Sequence, residues 1–367
     1  MPEEKKESVK IDFVKWFSEL NKDSGSVAGG KGANLSEIYG MDVPVPAGFV
    51  VTAQAYDYFI EKAGLDDDIK ELLSKIDYED TKQLNETTEK IREMILNSKI
   101  PKEMEEEVIE AYEHLDAKDE DVKGGGDALK ILKSSSEPIF VAVRSSATAE
   151  DLGGASFAGQ QATFLNVKGE EGVVRAVQKC WASLFTSRAI YYRIKNKFDH
   201  KEVFISVVVQ KMVNSIKSGV VFTKNPSNGE NEIIIEAGYG LGEAVVSGSI
   251  TPDHYVVDFE TLKIKEKQVK KQTFKIIRDT NLGNNIKREL NEDEAGEQKL
   301  TDAEIVKLAG IVKDIEKFYD KPQDIEFAIE NKIYIVQSRP ITTLPQASSE
   351  KSPGEEKEAS VENVGDR

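Results

Sequence analysis

The chain has 367 residues, enough for two or three packed substructures, and its 39% hydrophobic and 31% charged content is that of a globular protein, neither disordered nor fibrous. A formal net charge of −17 argues against a broad nucleic-acid footprint, so a site for an anionic ligand must be locally positive against the global trend. No apolar run is long enough to cross a bilayer, the first ten residues lack a secretory apolar stretch, and one cysteine, Cys180, cannot make a disulfide framework or a cysteine zinc cluster; a cytoplasmic protein with no membrane partner is expected.

Residues 1–8 read as a disordered lead. An apolar run at 11–17 precedes a Gly/Ser loop, and a helix is predicted over 33–39. Within that loop Gly29-Gly30-Lys31-Gly32 allows close backbone approach, and the helix behind it would offer N–H groups to an anion, with Lys31 adding a mobile charge. Residues 25–31 nearly spell a P-loop, but Gly32 stands where that motif needs Ser or Thr for magnesium. A helix-starting turn with a surface lysine is the plain alternative. From about 52 to 115 the pattern is helical, with Met104, Val108, Ala111 and Leu115 on one face behind Pro101. Residues 116–136 read as a linker.

A short buried strand at 139–143 ends on Arg144, followed by Ser145 and Ser146. A rigidly held guanidinium there suits phosphate oxygens, and an ion pair with Glu150 or Asp151 is the other reading. A second glycine loop at 153–160 could close over a ligand or be an ordinary turn. Residues 173–192 read as one helix with Cys180 in its packing face. Strands are then predicted at 203–209, 219–222, 232–235 and 255–259. The first of them ends in Gln210-Lys211-Met212-Val213, as a hinge that holds a base might, and Glu236 opens another glycine loop after the third.

Thr301 and Glu304 form a capping box for a helix carrying Ile305, Leu308, Val312, Ile315 and Phe318 inward. A hairpin is predicted next, around residues 330–332. Alternation puts Asp324 and Glu326 on one face and Ile325, Phe327 and Ile329 on the other. Depending on the turn, Gln337 falls opposite Asp324 or Glu326, with Arg339 of the same parity as Gln337. Carboxylates, an amide oxygen and a guanidinium then converge, a set that fits magnesium and phosphate; cross-strand salt links on a solvated sheet are the alternative. The histidines His114, His200 and His254 have no metal-ligand spacing and read as structural.

In this order the motifs resemble the nucleotide-binding domain of the phosphoenolpyruvate synthase (pyruvate, water dikinase) and pyruvate phosphate dikinase family, to which the rifamycin phosphotransferases are related. The matching stretches run from 29–35 through 46–51, 143–152, 155–165, 180–188, 209–212 and 236–242 to 324–340. The resemblance implies an α+β, ATP-grasp fold: a lobe at 9–200 with a helical insertion at about 53–135, a lobe at 201–345, and a flexible linker at 346–367. It implies Lys31, Arg144 and Arg339 on the ATP phosphates, and Gly159 with Gln160 and Thr163 in a covering loop. Gln210, Met212 and Val213 would border the adenine, with Glu236 near ribose or base. Glu326 and Gln337 would hold Mg2+, and Asp324 would be a third ligand. The family moves the β-phosphoryl group of ATP to a histidine on a swivelling domain, which delivers it to pyruvate at a barrel domain. Both domains are expected to lie outside this chain. An antibiotic-inactivating phosphotransferase half and a non-catalytic nucleotide-binding module are the competing readings.

Overall fold

The computed structural model describes residues 11–41, 43–115, 138–148, 162–196, 198, 203–279, 284–341 and 344. Helices and antiparallel sheets alternate along these residues, an α+β arrangement. The first sheet has five strands in the order β1-β2-β5-β3-β4, formed by β1 (Val14–Trp16), β2 (Gly48–Val51), β3 (Phe140–Ala147), β4 (Thr163–Lys168) and β5 (Ile205–Lys211). The second has six in the order β13-β12-β6-β7-β8-β9, from β6 (Lys217–Phe222), β7 (Glu232–Tyr239), β8 (Asp253–Asp258), β9 (Ile264–Gln268), β12 (Gln323–Ile329) and β13 (Ile333–Pro340). A separate hairpin, β10 (Phe274–Arg278) with β11 (Asn285–Glu289), stands beside them.

Strand β5 sits between β2 and β3, so the first sheet runs on to Lys211 and does not end at the expected boundary of residue 200. Five consecutive apolar or small residues made β5 legible as a strand, but nothing local says which sheet it joins. Likewise β3 extends to Ala147, which places Arg144 inside the strand and not at its end.

Helices α2 (Ala53–Lys62), α3 (Asp66–Ser74), α4 (Thr81–Asn97) and α5 (Lys102–His114) occupy the stretch predicted to be helical. They pack with α6 (Glu170–Ser183) and α7 (Ser187–Lys195) into one core, where Trp181 stacks on Phe59 at 4.8 Å between ring centres. The single helix expected at 173–192 is two: Thr186 takes the extended conformation of an N-cap and its hydroxyl accepts from the Ala189 N–H, which restarts the helix. Cys180 is fully buried in this core, as packing residues are, and burial pushes its thiol pKa up.

The second core lies between the six-stranded sheet and α8 (Asp302–Tyr319), whose Ile305, Leu308, Ala309, Val312 and Ile315 repeat at helical spacing and are all buried. The expected capping box is present: Thr301 Oγ1 accepts from Glu304 N at 3.2 Å and Glu304 Oε2 from Thr301 N at 2.7 Å. Phe318, expected inward, is 42% exposed in the last turn of the helix, which ends one residue later. Helix α1 (Gly25–Gly40) joins the two layers: Leu35 and Ile38 share the second core with Val50 and Val208 of the first sheet. No helix among the described residues is long and apolar enough to cross a membrane.

Candidate functional site

The two sheets face each other across a cleft of about 360 Å³. One wall is Ala142, Arg144, Thr163 and Leu165 with the hinge 210–213; the other is Ser218, Gly219, Glu326 to Ala328, Val336 and Gln337, closed at the side by Leu241 to Glu243, Val246 and Ser247. That volume and mixture of apolar walls with a few polar groups suit a small organic ligand.

The polar floor depends on an irregularity in the hairpin. Ile329 pairs with Ile333 and Phe327 with Ile335, yet Glu326 pairs with Gln337 and Asp324 with Arg339; Val336 is the extra residue of a β-bulge. Strict alternation would put Gln337 and Arg339 on the buried face of Ile333 and Ile335. The bulge moves them to the cleft face and turns Ser338 into the core, where it is 3% exposed. The carbonyl of Val336 accepts from Arg144 Nη1 at 3.1 Å, which ties the two sheets and brings the guanidinium beside Glu326. Burial lowers the Arg144 pKa, and the Glu326 carboxylate opposes that shift.

Asp324 lies one pleat along from Glu326, with its side chain 15% exposed. It accepts both Nε and Nη2 of Arg339 on one carboxylate oxygen, at 2.8 and 2.6 Å. The expected third oxygen ligand is therefore engaged by the very arginine expected to reach a phosphate.

The first glycine motif packs against β3. Gly29 has φ of +63°, and a Cβ there would lie 2.4 Å from Ser146 Oγ, so glycine is required. The N–H groups of Lys31 and Gly32 both point at Ser146 Oγ, at 3.1 and 3.3 Å. Ser146 in turn donates to Ala28 O at 2.9 Å. The helix start is thus capped by strand β3. Lys31 Nζ donates to Ser145 O at 3.2 Å, next in sequence to Arg144, without lining the cleft.

Of the residues singled out in the sequence, Arg144, Thr163, Gln210, Met212, Val213, Glu326 and Gln337 meet at this cleft. Glu236 does not: it is two strands away from Glu326 across β6, with Oε1 3.8 Å from His254 Nδ1. Gly159, Gln160, Glu150, Asp151 and His200 lie outside the described residues. His114 is on α5, its Nδ1 2.7 Å from Glu110 O.

Sequence reasoning missed Leu165, Ser218, Gly219, Leu241, Glu243 and Val246. The glycine loop after Glu236 was visible but had no role; it turns out to carry the side wall. Gly219 had a signal too, a glycine inside an apolar strand: a Cβ there would meet Glu236 O at 1.9 Å.

A cleft of this kind between two antiparallel sheets, with an arginine and a carboxylate–amide pair on its floor, defines an α+β protein with a ligand-sized site between its sheets. The family is shown by comparison: a model described as "Pyruvate phosphate dikinase, AMP/ATP-binding domain" matches residues 25–360, and the chain belongs to that family. It is 44% identical over 390 residues to the phosphoenolpyruvate synthase of Pyrococcus furiosus, covering 95% of this chain and 46% of that protein. A "Probable phosphoenolpyruvate synthase" of Archaeoglobus fulgidus is 48% identical over 338 residues, 92% of this chain and 42% of that protein. The rifampicin phosphotransferase of Bacillus cereus is 40% identical over 335 residues, 90% of this chain and 36% of that one. The chain thus spans less than half the length of these relatives.

Proposed function

We propose that this chain is the ATP-binding half of a phosphoenolpyruvate synthase-like dikinase, with an ATP-grasp fold whose lobes meet at the cleft. The first lobe would run from about residue 9 to Lys211 and the second onward to about 345. The observation that carries the reading is the bulged hairpin: it sets Glu326 opposite Gln337 and hands the Val336 carbonyl to Arg144, in a cleft that Gln210 to Val213 also line.

The donor set fits Mg2+. Glu326, Gln337 and Asp324 offer oxygens alone, and among the described residues no group of three or more His, Cys, Asp or Glu gathers to enclose a metal by itself. A hard cation that keeps waters and shares its ligands with phosphate oxygens needs no such cage. Bound there, Mg2+ would neutralise phosphate charge. In this reading Arg144 orients the phosphates, Lys31 approaches from the α1 side, and Arg339 meets the group in transfer. The residues expected to cover the phosphates, Gly159 and Gln160, complete the proposal from sequence alone, with Thr163 at the cleft wall.

The reaction would pass the β-phosphoryl group to a histidine on a separate domain, giving AMP and phosphate, with pyruvate as the final acceptor. The chain has three histidines, and neither His114 nor His254 lines the cleft. The 40% identity to the rifampicin phosphotransferase supports a second reading, with the antibiotic as final acceptor, because both would share this ATP-binding half.

Titration calorimetry of the folded chain with ATP and Mg2+ should show one site per chain; absence of heat at millimolar nucleotide would refute the proposal. Supplying pyruvate-type or rifamycin-type histidine domains in trans then separates the two acceptors. In the same assay Glu326→Ala should remove the dependence of ATP binding on Mg2+, whereas Asp324→Ala should weaken it only partly, since its carboxylate already serves Arg339. A larger effect at Asp324 would reverse the ligand assignment.

A further inference from the structure

The hairpin β10–β11 belongs to neither sheet, yet it touches both sides of the cleft. The middle of β10 is fixed to the side wall: Leu241 N donates to Ile276 O at 2.8 Å, and Gly240, with φ of +90°, bridges Ile276. Its last pair before the turn, Arg278 with Asn285, reaches β4. Arg278 lies over the Phe140 ring at 4.4 Å, and its Nε donates to Asn166 Oδ1 at 3.1 Å. Asn166 Nδ2 donates to Asn285 Oδ1 at 2.6 Å, and Asn285 Nδ2 donates to Glu243 Oε2 at 2.7 Å.

Direction along this series is forced. Arginine can only donate and an ionised carboxylate can only accept, so both amides between them have one orientation that satisfies every bond. Asn166 is built for the position. It sits at an irregularity between β3 and β4, with φ of +57°, a left-handed conformation that asparagine tolerates better than most residues. Its backbone N–H meets Met212 Sδ at 3.0 Å, and Met212 N donates to Phe140 O at 2.9 Å. The series therefore meets Met212 of the hinge through Asn166 and the side wall through Glu243. Leu165 beside Asn166 and Val246 beyond Glu243 are 36% and 60% exposed, as at an open rim.

We propose that Arg278, Asn166, Asn285 and Glu243 form a clasp across the rim of the cleft, which sets the spacing of Met212 from the side wall and gates entry and release of the nucleotide base. This rests on the nucleotide reading above. The four are positioning residues: they act through Met212 and the wall, and breaking the series should speed release of bound ligand more than it changes folding.

Asn285→Asp tests this, because it turns the donor facing Glu243 into a second carboxylate. Release of a fluorescent ATP analogue, monitored by stopped flow on the whole chain with Mg2+, should become roughly 5- to 20-fold faster, the size expected for one lost hydrogen bond plus a like-charge contact. Glu243→Gln alone keeps an oxygen that accepts from Asn285, and its own effect on release is measured so that the cycle subtracts it. The double variant Asn285→Asp with Glu243→Gln restores a donor opposite the new carboxylate and should return release to within about 3-fold of the parent. A merely structural role would not produce that rescue. Equal release from parent and Asn285→Asp, or a double variant no slower than the single, overturns the clasp. If Asn285→Asp fails to fold, Asn166→Gly keeps the left-handed backbone, removes both side-chain links and should show the same fast release. A parent that binds no ATP analogue overturns the nucleotide reading and the clasp with it, which a parent that binds normally beside unaltered variants would not do.

Discussion

Replacing Asp253 with alanine is expected to destabilise the chain by about 3–5 kcal/mol, read as a fall in the urea midpoint of the transition that reports the second sheet. Asp253 and Lys299 are both fully buried, with N–O separation of 3.2 Å. The carboxylate also accepts from Lys270 N and Lys299 N, each at 2.8 Å, and from the Tyr255 hydroxyl at 2.7 Å. Lys299 Nζ donates to Lys270 O at 2.5 Å and Ala295 O at 3.3 Å. Truncation leaves an ammonium without its counter-charge and three donors without an acceptor, each expensive away from water. Adding Lys299→Met to the alanine variant removes the orphan charge and should recover a substantial part of the loss. A shift below about 1 kcal/mol in the single variant would mean that water reaches the pair.

The second large effect is kinetic. Arg339→Ala should slow phosphoryl transfer to a separately supplied histidine domain by two to three orders of magnitude, about 3–4 kcal/mol of barrier, while ATP affinity changes several-fold at most. The physical ground is that negative charge on the transferring group is redistributed as the transition state forms, so a guanidinium placed for that group contributes more there than in the bound ground state. Its side chain is 61% exposed and anchored through Nε and Nη2 to Asp324, which orients the planar group at the open end of the hairpin. Transfer of label from β-labelled ATP under single-turnover conditions, beside calorimetric affinity, separates the two quantities. Equal losses in both would reduce Arg339 to a ground-state contact. Asp324→Asn should then give a milder rate loss than Arg339→Ala, because the arginine survives but loses its charged anchor.

Periodicity is a local property, and the faces it dictates were legible. Met104, Val108, Ala111 and Leu115 on one helix, and Ile305 to Ile315 on another, are buried as their spacing demands. So was the chemistry of the last hairpin: apolar and carboxylate residues alternate in β12, and Glu326 does face Gln337. The resemblance added which ligand such residues serve, and family membership agrees with it.

The tertiary structure decided what depends on partners far along the chain. The Val336 bulge cannot be read from alternation, because whether Gln337 faces cleft or core is set by pairing with β12 and by Arg144, 192 residues away. Ser146 accepts from the N–H groups of Lys31 and Gly32 across 115 and 114 residues, which joins helix to sheet. Asn166 and Asn285 meet across 119. Such contacts carry no repeat in the sequence; they exist because burying the apolar faces of two sheets and α1 together leaves particular polar atoms within reach of one another. The sequence by itself determined most of the buried strands, the apolar faces of the helices and the residue types of the floor, but not β4, β9 or the hairpin β10–β11. Where each floor residue points, and what holds the rim, came from the packing of the two layers.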